Sequence, residues 1–345
     1  WSSIANEILG PITDEDCKIM AQTITKEEIL KVQKIRGRGN SRIYKVVTES
    51  NQVYALKYYP DMLLDPRSRL QTEVQSCQLL ETYQLTPKVI AYDAELNIAI
   101  YEWIEGDHLQ SVENEHIDQA LNFIKILQDI ETPEFSKPAS EACTSAEQLF
   151  HQIEERHKKL DSIENNILQN FLNTIFKPLY LDVKNWSTQQ WPANNFHEIL
   201  ASVKQTLSPS DFGIHNSIMR SDGTLCFLDL EYFGWDDPVK LIADFIWHPA
   251  MTLNDDHKNR WVKNSFLIFK NTEEMRQRFH AAWPLYGMRW AMILLNEFRK
   301  DGWEKKIHVD EHIEQHHKMT LNIQIDKANA ICDLIKSNQM ECPYV

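Results

Sequence analysis

Alternating apolar and polar positions predict strands over residues 29–35, 43–48 and 53–59. The string Gly37-Arg38-Gly39-Asn40 separates the first two, and a polar turn over 49–52 separates the next two. An antiparallel meander with a glycine-containing first turn follows. Residues 1–30 otherwise read as helical pieces, with Thr25 and Glu28 spaced as a capping box. Beyond Asp65-Pro66, the apolar positions Leu70, Val74, Cys77 and Leu80 recur at helical spacing and predict a helix over 67–83. Strands are expected at 88–92 and 98–103. After Gly106 the pattern turns helical and polar, most clearly over 115–130 and 145–176. The expected organisation is a helical extension (1–28), a β-rich lobe (29–104) and a large helical lobe (105–345).

Composition adds bounds. A chain of 345 residues with 43% hydrophobic and 25% charged content is that of a globular protein with a sizeable core. No stretch approaches the roughly 20 apolar residues a membrane span requires. The formal net charge of -14 repels nucleic acid and anionic membrane, and favours neither as a partner. It is compatible with a cationic small molecule. Six cysteines without a C-x-x-C pair suggest incidental thiols in a reducing compartment, hence a cytoplasmic location. The chain begins at Trp1, and nothing in it reads as a targeting segment.

The chemistry concentrates at residues 207–231. Asp222-Gly223 reads as a two-residue hairpin turn. Counting outward pairs Ser221 with Thr224, Met219 with Cys226, and Asn216 with Asp229. That register sets an amide oxygen opposite a carboxylate, about 5 Å apart at Cβ. Two such oxygens suit a hard cation such as Mg²⁺. Asp211 lies in the loop that leads into the hairpin.

Asp211, Asn216 and Asp229 in this order and spacing resemble the catalytic loop and metal-binding aspartate of the protein-kinase-like superfamily. The similarity is greatest to its aminoglycoside phosphotransferase and choline kinase branch, whose metal-binding segment resembles Asp229-Leu230-Glu231. Further features agree in order. The string at Gly37 and Gly39 falls where the phosphate-covering loop belongs. Lys57 resembles the phosphate-binding lysine, and Glu73 its carboxylate partner. The stretch 98–106 resembles the hinge, so Glu102 and Ile104 would meet adenine through their backbone. Taken singly, each has an ordinary reading as a turn, a strand lysine or a solvated carboxylate. Six in sequence are harder to obtain by accident.

The resemblance implies a bilobal α+β fold, with a small antiparallel sheet in the N-lobe and a large helical C-lobe. It implies transfer of the γ-phosphate of ATP, with Mg²⁺, to a hydroxyl of a small molecule: an aminoglycoside, choline or ethanolamine, a sugar or an amino-alcohol. Asp211 would be the base, Asn216 and Asp229 the metal ligands, and Glu231 a ligand to a second metal. Competing readings are a catalytically silent nucleotide-binding protein on the same fold, and a protein kinase; no activation segment ending in Ala-Pro-Glu supports the latter. Pro209-Ser210 stands where the family usually carries a histidine that buttresses the loop. Asp236, Asp237 and Asp244 read as caps and loop anchors. Trp247, Trp283, Tyr286 and Trp290 are candidate pocket aromatics, whereas Leu285, Met288, Met292 and Leu295 read as core.

Overall fold

The structure is a computed structural model that describes residues 13–35, 41–60, 67–130, 137–270, 272–299 and 317–344. The expectation at Gly37 and Gly39 lies outside these residues.

Five antiparallel strands form the N-terminal sheet: β1 (Ile29–Ile35), β2 (Arg42–Thr48), β3 (Val53–Tyr58), β4 (Val89–Asp93) and β5 (Ile98–Glu102), in the spatial order β1-β2-β3-β5-β4. The meander expected from periodicity is present. β2 alternates between buried and half-buried positions along its length, as a strand with one core face does. Helix α1 (Asp14–Thr25) covers that face, with Cys17 and Ala21 packed on Ile29, Tyr44, Val46, Leu56 and Ile100. The capping box sits at the other end of α1 from the one expected: Thr13 Oγ1 accepts from the Asp16 N–H, and Asp16 accepts from the Thr13 N–H. Thr25 is instead the last residue of α1, where its hydroxyl donates to the Ala21 carbonyl. Helix α2 (Arg69–Leu80) crosses behind the sheet and buries Leu70, Glu73, Val74, Cys77 and Leu80.

The remainder is mostly helical. Helices α3 (Asn114–Asp129), α4 (Ala146–Asp161), α5 (Asn166–Phe171) and α6 (Lys177–Gln190) come first, a π-helical turn (Leu172–Phe176) joining the last two. The helix expected over 145–176 is therefore broken after Asp161, where Asn165 caps a new start. Helices α7 (Pro238–Trp247), α8 (Asp255–Ile268), α9 (Glu273–Leu294) and α10 (His317–Ser337) follow. Two small sheets are set among them, β7 (Thr206–Ser208) with β10 (Gly234–Asp236), and β6 (Gly106–Asp107) with β8 (Ser217–Arg220) and β9 (Leu225–Phe227).

Trp247, Trp283, Tyr286 and Trp290 are buried in the helical core rather than lining an open pocket. Trp247 Nε1 donates to the Trp283 carbonyl, and Trp290 Nε1 to Asp244. Leu285, Met288, Met292 and Leu295 are buried with them, as expected. Asp237 caps α7 through the Val239 N–H and pairs with Arg278; Asp236 accepts from the Cys143 N–H and pairs with Lys240. These acids act as anchors, in line with the sequence reading. Among the described residues, no helix is long and apolar enough to cross a membrane.

Candidate active site

The β8–β9 hairpin is real, but its register differs by one from that expected. Ser217 pairs with Phe227, Ile218 with Cys226 and Met219 with Leu225. The loop is three residues, Ser221 to Gly223, closed by the Gly223 N–H to the Arg220 carbonyl and the Arg220 N–H to the Thr224 carbonyl. Gly223 occupies the left-handed region at φ 85°, the position that such loops assign to glycine. Asp222 accepts from the Thr224 N–H and hydroxyl, which fixes the turn. A slip of one residue exchanges the faces of a strand, so Asn216 and Asp229 are not cross-strand partners. Instead the Leu228 N–H donates to the Asn216 carbonyl, and Asp229 leaves the ladder in a left-handed conformation, φ 65°.

Lys57, on the central strand β3, is 6% exposed and meets three carboxylates. Its Nζ donates to Glu73 Oε2 at 2.6 Å, forms a short ion pair with Asp229, and lies 3.4 Å from Glu231 Oε2. Helix α2 supplies Glu73 because its buried face, not its solvent face, carries position 73. Tyr59 donates to Glu73 Oε2 at 2.7 Å and lies 2.7 Å, hydroxyl to hydroxyl, from Tyr101, closing the site from behind. Glu231 is also engaged by Arg69 and by the Ser41 hydroxyl.

Burial alone would favour a neutral Lys57, but Asp229, Glu73 and Glu231 outweigh it and hold the ammonium well above its ordinary pKa. Burial pushes the Glu73 carboxyl up, to about 7, against the opposing pull of Lys57. The ion pair is thus a crowded one, with more negative than positive charge in a dry place. Oxygens of Glu73, Asp229 and Glu231 lie within 4.8 Å of one another, hard donors of the kind a divalent cation such as Mg²⁺ takes, but the Lys57 ammonium pairs with all three. The Asp229 side chain is the open one of the three at 35% exposure, against 7% and 4%.

Asp211 sits at the neighbouring loop. Its backbone carbonyl accepts from the Asn216 amide at 3.1 Å, which ties Asp211, Asn216 and the chain entering Asp229 into one unit. Burial would raise the Asp211 pKa, but His215 and His248 hold the carboxylate far below its ordinary value. The loop is backed by Ser210, left-handed at φ 67°, whose hydroxyl donates to the Ser140 carbonyl and receives the buried Lys240 ammonium at 3.2 Å. Glu102 ends β5 and Ile104 lies two residues beyond it; the Glu102 N–H is donated to the Lys88 carbonyl. That bond occupies the donor of Glu102 and leaves its carbonyl as the group that would face adenine.

The structure brings Lys57, Glu73, Asp229 and Glu231 together, and Asp211 with Asn216. The sequence reading missed Tyr59, Arg69, Lys240 and the histidines around Asp211. Gly213 carried a signal for one of them: a Cβ there would lie 2.6 Å from His215 Nδ1 and 2.8 Å from Met251 Sδ, so only glycine lets that ring close down on the loop.

Neither a family model nor a curated protein matches the sequence. Solved structures do match in shape. The choline kinase LicA from Streptococcus pneumoniae superimposes with TM-score 0.57 at 15% identity, over 92% of this chain and 98% of that one. A spectinomycin phosphotransferase in complex with ADP and spectinomycin gives 0.61 at 11%, over 93% and 99%. An ethanolamine kinase from Plasmodium vivax gives 0.54 at 15%, over 91% and 83%. The fold is the bilobal, protein-kinase-like one of small-molecule kinases. At these identities the likeness is one of architecture, and the chemistry of this chain rests on its own residues.

Proposed function

We propose that this protein is an ATP-dependent phosphotransferase whose acceptor is a hydroxyl of a small molecule. The observation that carries this reading is Lys57, buried on the sheet, joined at once to Glu73 of α2 and to Asp229 at the end of the hairpin. A lysine held so deeply by carboxylates is costly unless it serves a ligand. Tight and oppositely charged, it suits phosphate oxygens, which would take over the ammonium from Asp229.

Phosphoryl transfer asks a protein chiefly for positioning and charge neutralisation. Lys57, steadied by Glu73 and Tyr59, would grip the α- and β-phosphates. Asn216 and Asp229 would hold Mg²⁺, with Glu231 a candidate for a second ion; the metal, when bound, would neutralise charge on the phosphate oxygens. The Arg69 ion pair makes Glu231 the least free of these ligands. Asp211 would orient the acceptor hydroxyl and take its proton. The backbone around Ile104 would meet adenine, and the segment with Gly37 and Gly39 would cover the phosphates. We assign residues 29–104 to the N-lobe, 105–345 to the C-lobe, and 1–28 to an extension, with the cleft between the lobes as the nucleotide site.

The acceptor would be of the class the neighbouring kinases are named for, choline or ethanolamine or an aminoglycoside, or else a sugar or another amino-alcohol. The acidic net charge favours a cationic one. A panel of hydroxyl metabolites screened for ATP consumption tests the proposal. Turnover with at least one acceptor, lost in Asp211→Ala and in Asp229→Ala, is the expected result; full activity in either variant would remove the assignment.

A further inference from the structure

Asp211 is flanked by two imidazoles that the sequence did not foretell. Its Oδ1 lies 3.2 Å from His248 Nε2 and 3.4 Å from His215 Nε2. That oxygen is sealed from solvent, whereas the Asp211 side chain as a whole keeps 37% exposure. The open oxygen is therefore Oδ2. Neither contact has the alignment of a finished hydrogen bond, and catalytic hydrogen bonds often tighten only with substrate in place.

The His248 ring is fixed on several sides. The residue follows the last one of α7, and its backbone N–H donates to the Asp244 carbonyl at 2.9 Å. It stacks on His215 with centroids 3.8 Å apart and planes 14° apart, and the edge of Trp290 meets it at 4.6 Å. Its Nδ1 accepts from the Ala250 N–H at 3.2 Å. A neutral imidazole that accepts at Nδ1 carries its proton on Nε2, and that nitrogen faces Asp211.

This assignment also decides between two chemistries. Two imidazoles and a carboxylate with ligand atoms within 4.8 Å of one another are a donor set that zinc would accept. A nitrogen that carries a proton offers no lone pair to a metal. The Ala250 N–H therefore favours a hydrogen-bonding role.

We propose that His248 is a positioning residue for Asp211: its Nε2–H, with His215 stacked beside it, holds the buried Oδ1 and leaves Oδ2 to receive the acceptor proton. The role is that of the loop buttress missing at Pro209-Ser210, supplied here from the end of α7. It rests on the phosphotransferase reading for its catalytic consequence, but the contact itself does not.

The test has two arms. In ¹⁵N-histidine-labelled protein, a long-range ¹H–¹⁵N correlation reports the tautomer of His248, assigned by the signal lost in His248→Gln. The Nε2–H tautomer is expected. An Nδ1–H tautomer, or joint displacement of the His215 and His248 signals by stoichiometric Zn²⁺ in chelator-stripped protein, overturns the proposal. With an acceptor in hand, His248→Ala should lower kcat by about tenfold or more with KM for ATP within about twofold of wild type. His248→Gln, which keeps an N–H donor, should recover most of that loss. Equal loss in both variants, or a loss seated in KM for ATP, overturns it. If no acceptor is turned over, the functional reading fails while the tautomer still decides the contact.

Discussion

Lys57→Met isolates the charge balance on which the site depends. The side chain is buried and shares its ammonium among Glu73, Asp229 and Glu231. Arg69 still compensates Glu231 in the variant, but among the described residues Glu73 keeps only the Tyr59 hydroxyl. Breaking a buried ion pair by removing one partner costs about 3–5 kcal/mol. Part of that cost depends on pH. Burial raises the Glu73 carboxyl to about 7 even with Lys57 in place. A carboxyl raised in the folded state stabilises it when protonated, below its unfolded pKa, and that contribution is lost as pH rises through the folded one. Without Lys57 the carboxyl rises further, so the variant's deficit should deepen between pH 5 and pH 8. Thermal melts of wild type and Lys57→Met across that range are the assay. A deficit at pH 8 clearly larger than at pH 5, relieved in Lys57→Met/Glu73→Gln, is expected. A deficit independent of pH, or none, would refute the buried carboxylate cluster.

Other outcomes follow from single contacts. Gly223→Ala meets nothing within 4 Å, so its cost should be conformational alone, about 1–2 kcal/mol from the φ of 85°, with Gly223→Asn costing less; denaturant titration measures both. Arg278→Ala strips the partner from the buried cap Asp237 and should cost about 3–5 kcal/mol by the same measurement. Gly213→Ala forces a Cβ within 2.6 Å of His215 Nδ1; it should reduce turnover several-fold while leaving nucleotide affinity, read by calorimetry, unchanged.

Much of the fold was legible because the N-lobe is built from short-range patterns. Alternation over β2 and helical spacing in α2 each encode which face is buried. Lys57 and Glu73 stood out only through the resemblance, because alone each reads as a strand lysine or a solvated helix carboxylate. The hairpin shows where local reasoning fails. Asp222-Gly223 fits a two-residue turn as well as a three-residue loop, and with Leu225, Cys226 and Phe227 all buried, no alternation along β9 tells the two registers apart. The capping box was misplaced because Thr25 satisfies its pattern with Glu28, while Thr13 uses the shorter Asp16. The aromatic residues of α7 and α9 were read partly as a pocket because a tryptophan's burial depends on partners distant in the chain. His248 had no local signal, since its meaning comes from Asp211, brought to it by tertiary packing.

The central claim is that one cradle of side chains binds nucleotide and a separate carboxylate takes the proton. Transfer of a labelled γ-phosphoryl group in a single turnover, together with nucleotide affinity, measured for wild type and Asp211→Asn, tests it most directly. Unchanged affinity for nucleotide with transfer reduced by about a thousandfold or more is predicted. Transfer at the wild-type rate in Asp211→Asn would contradict it.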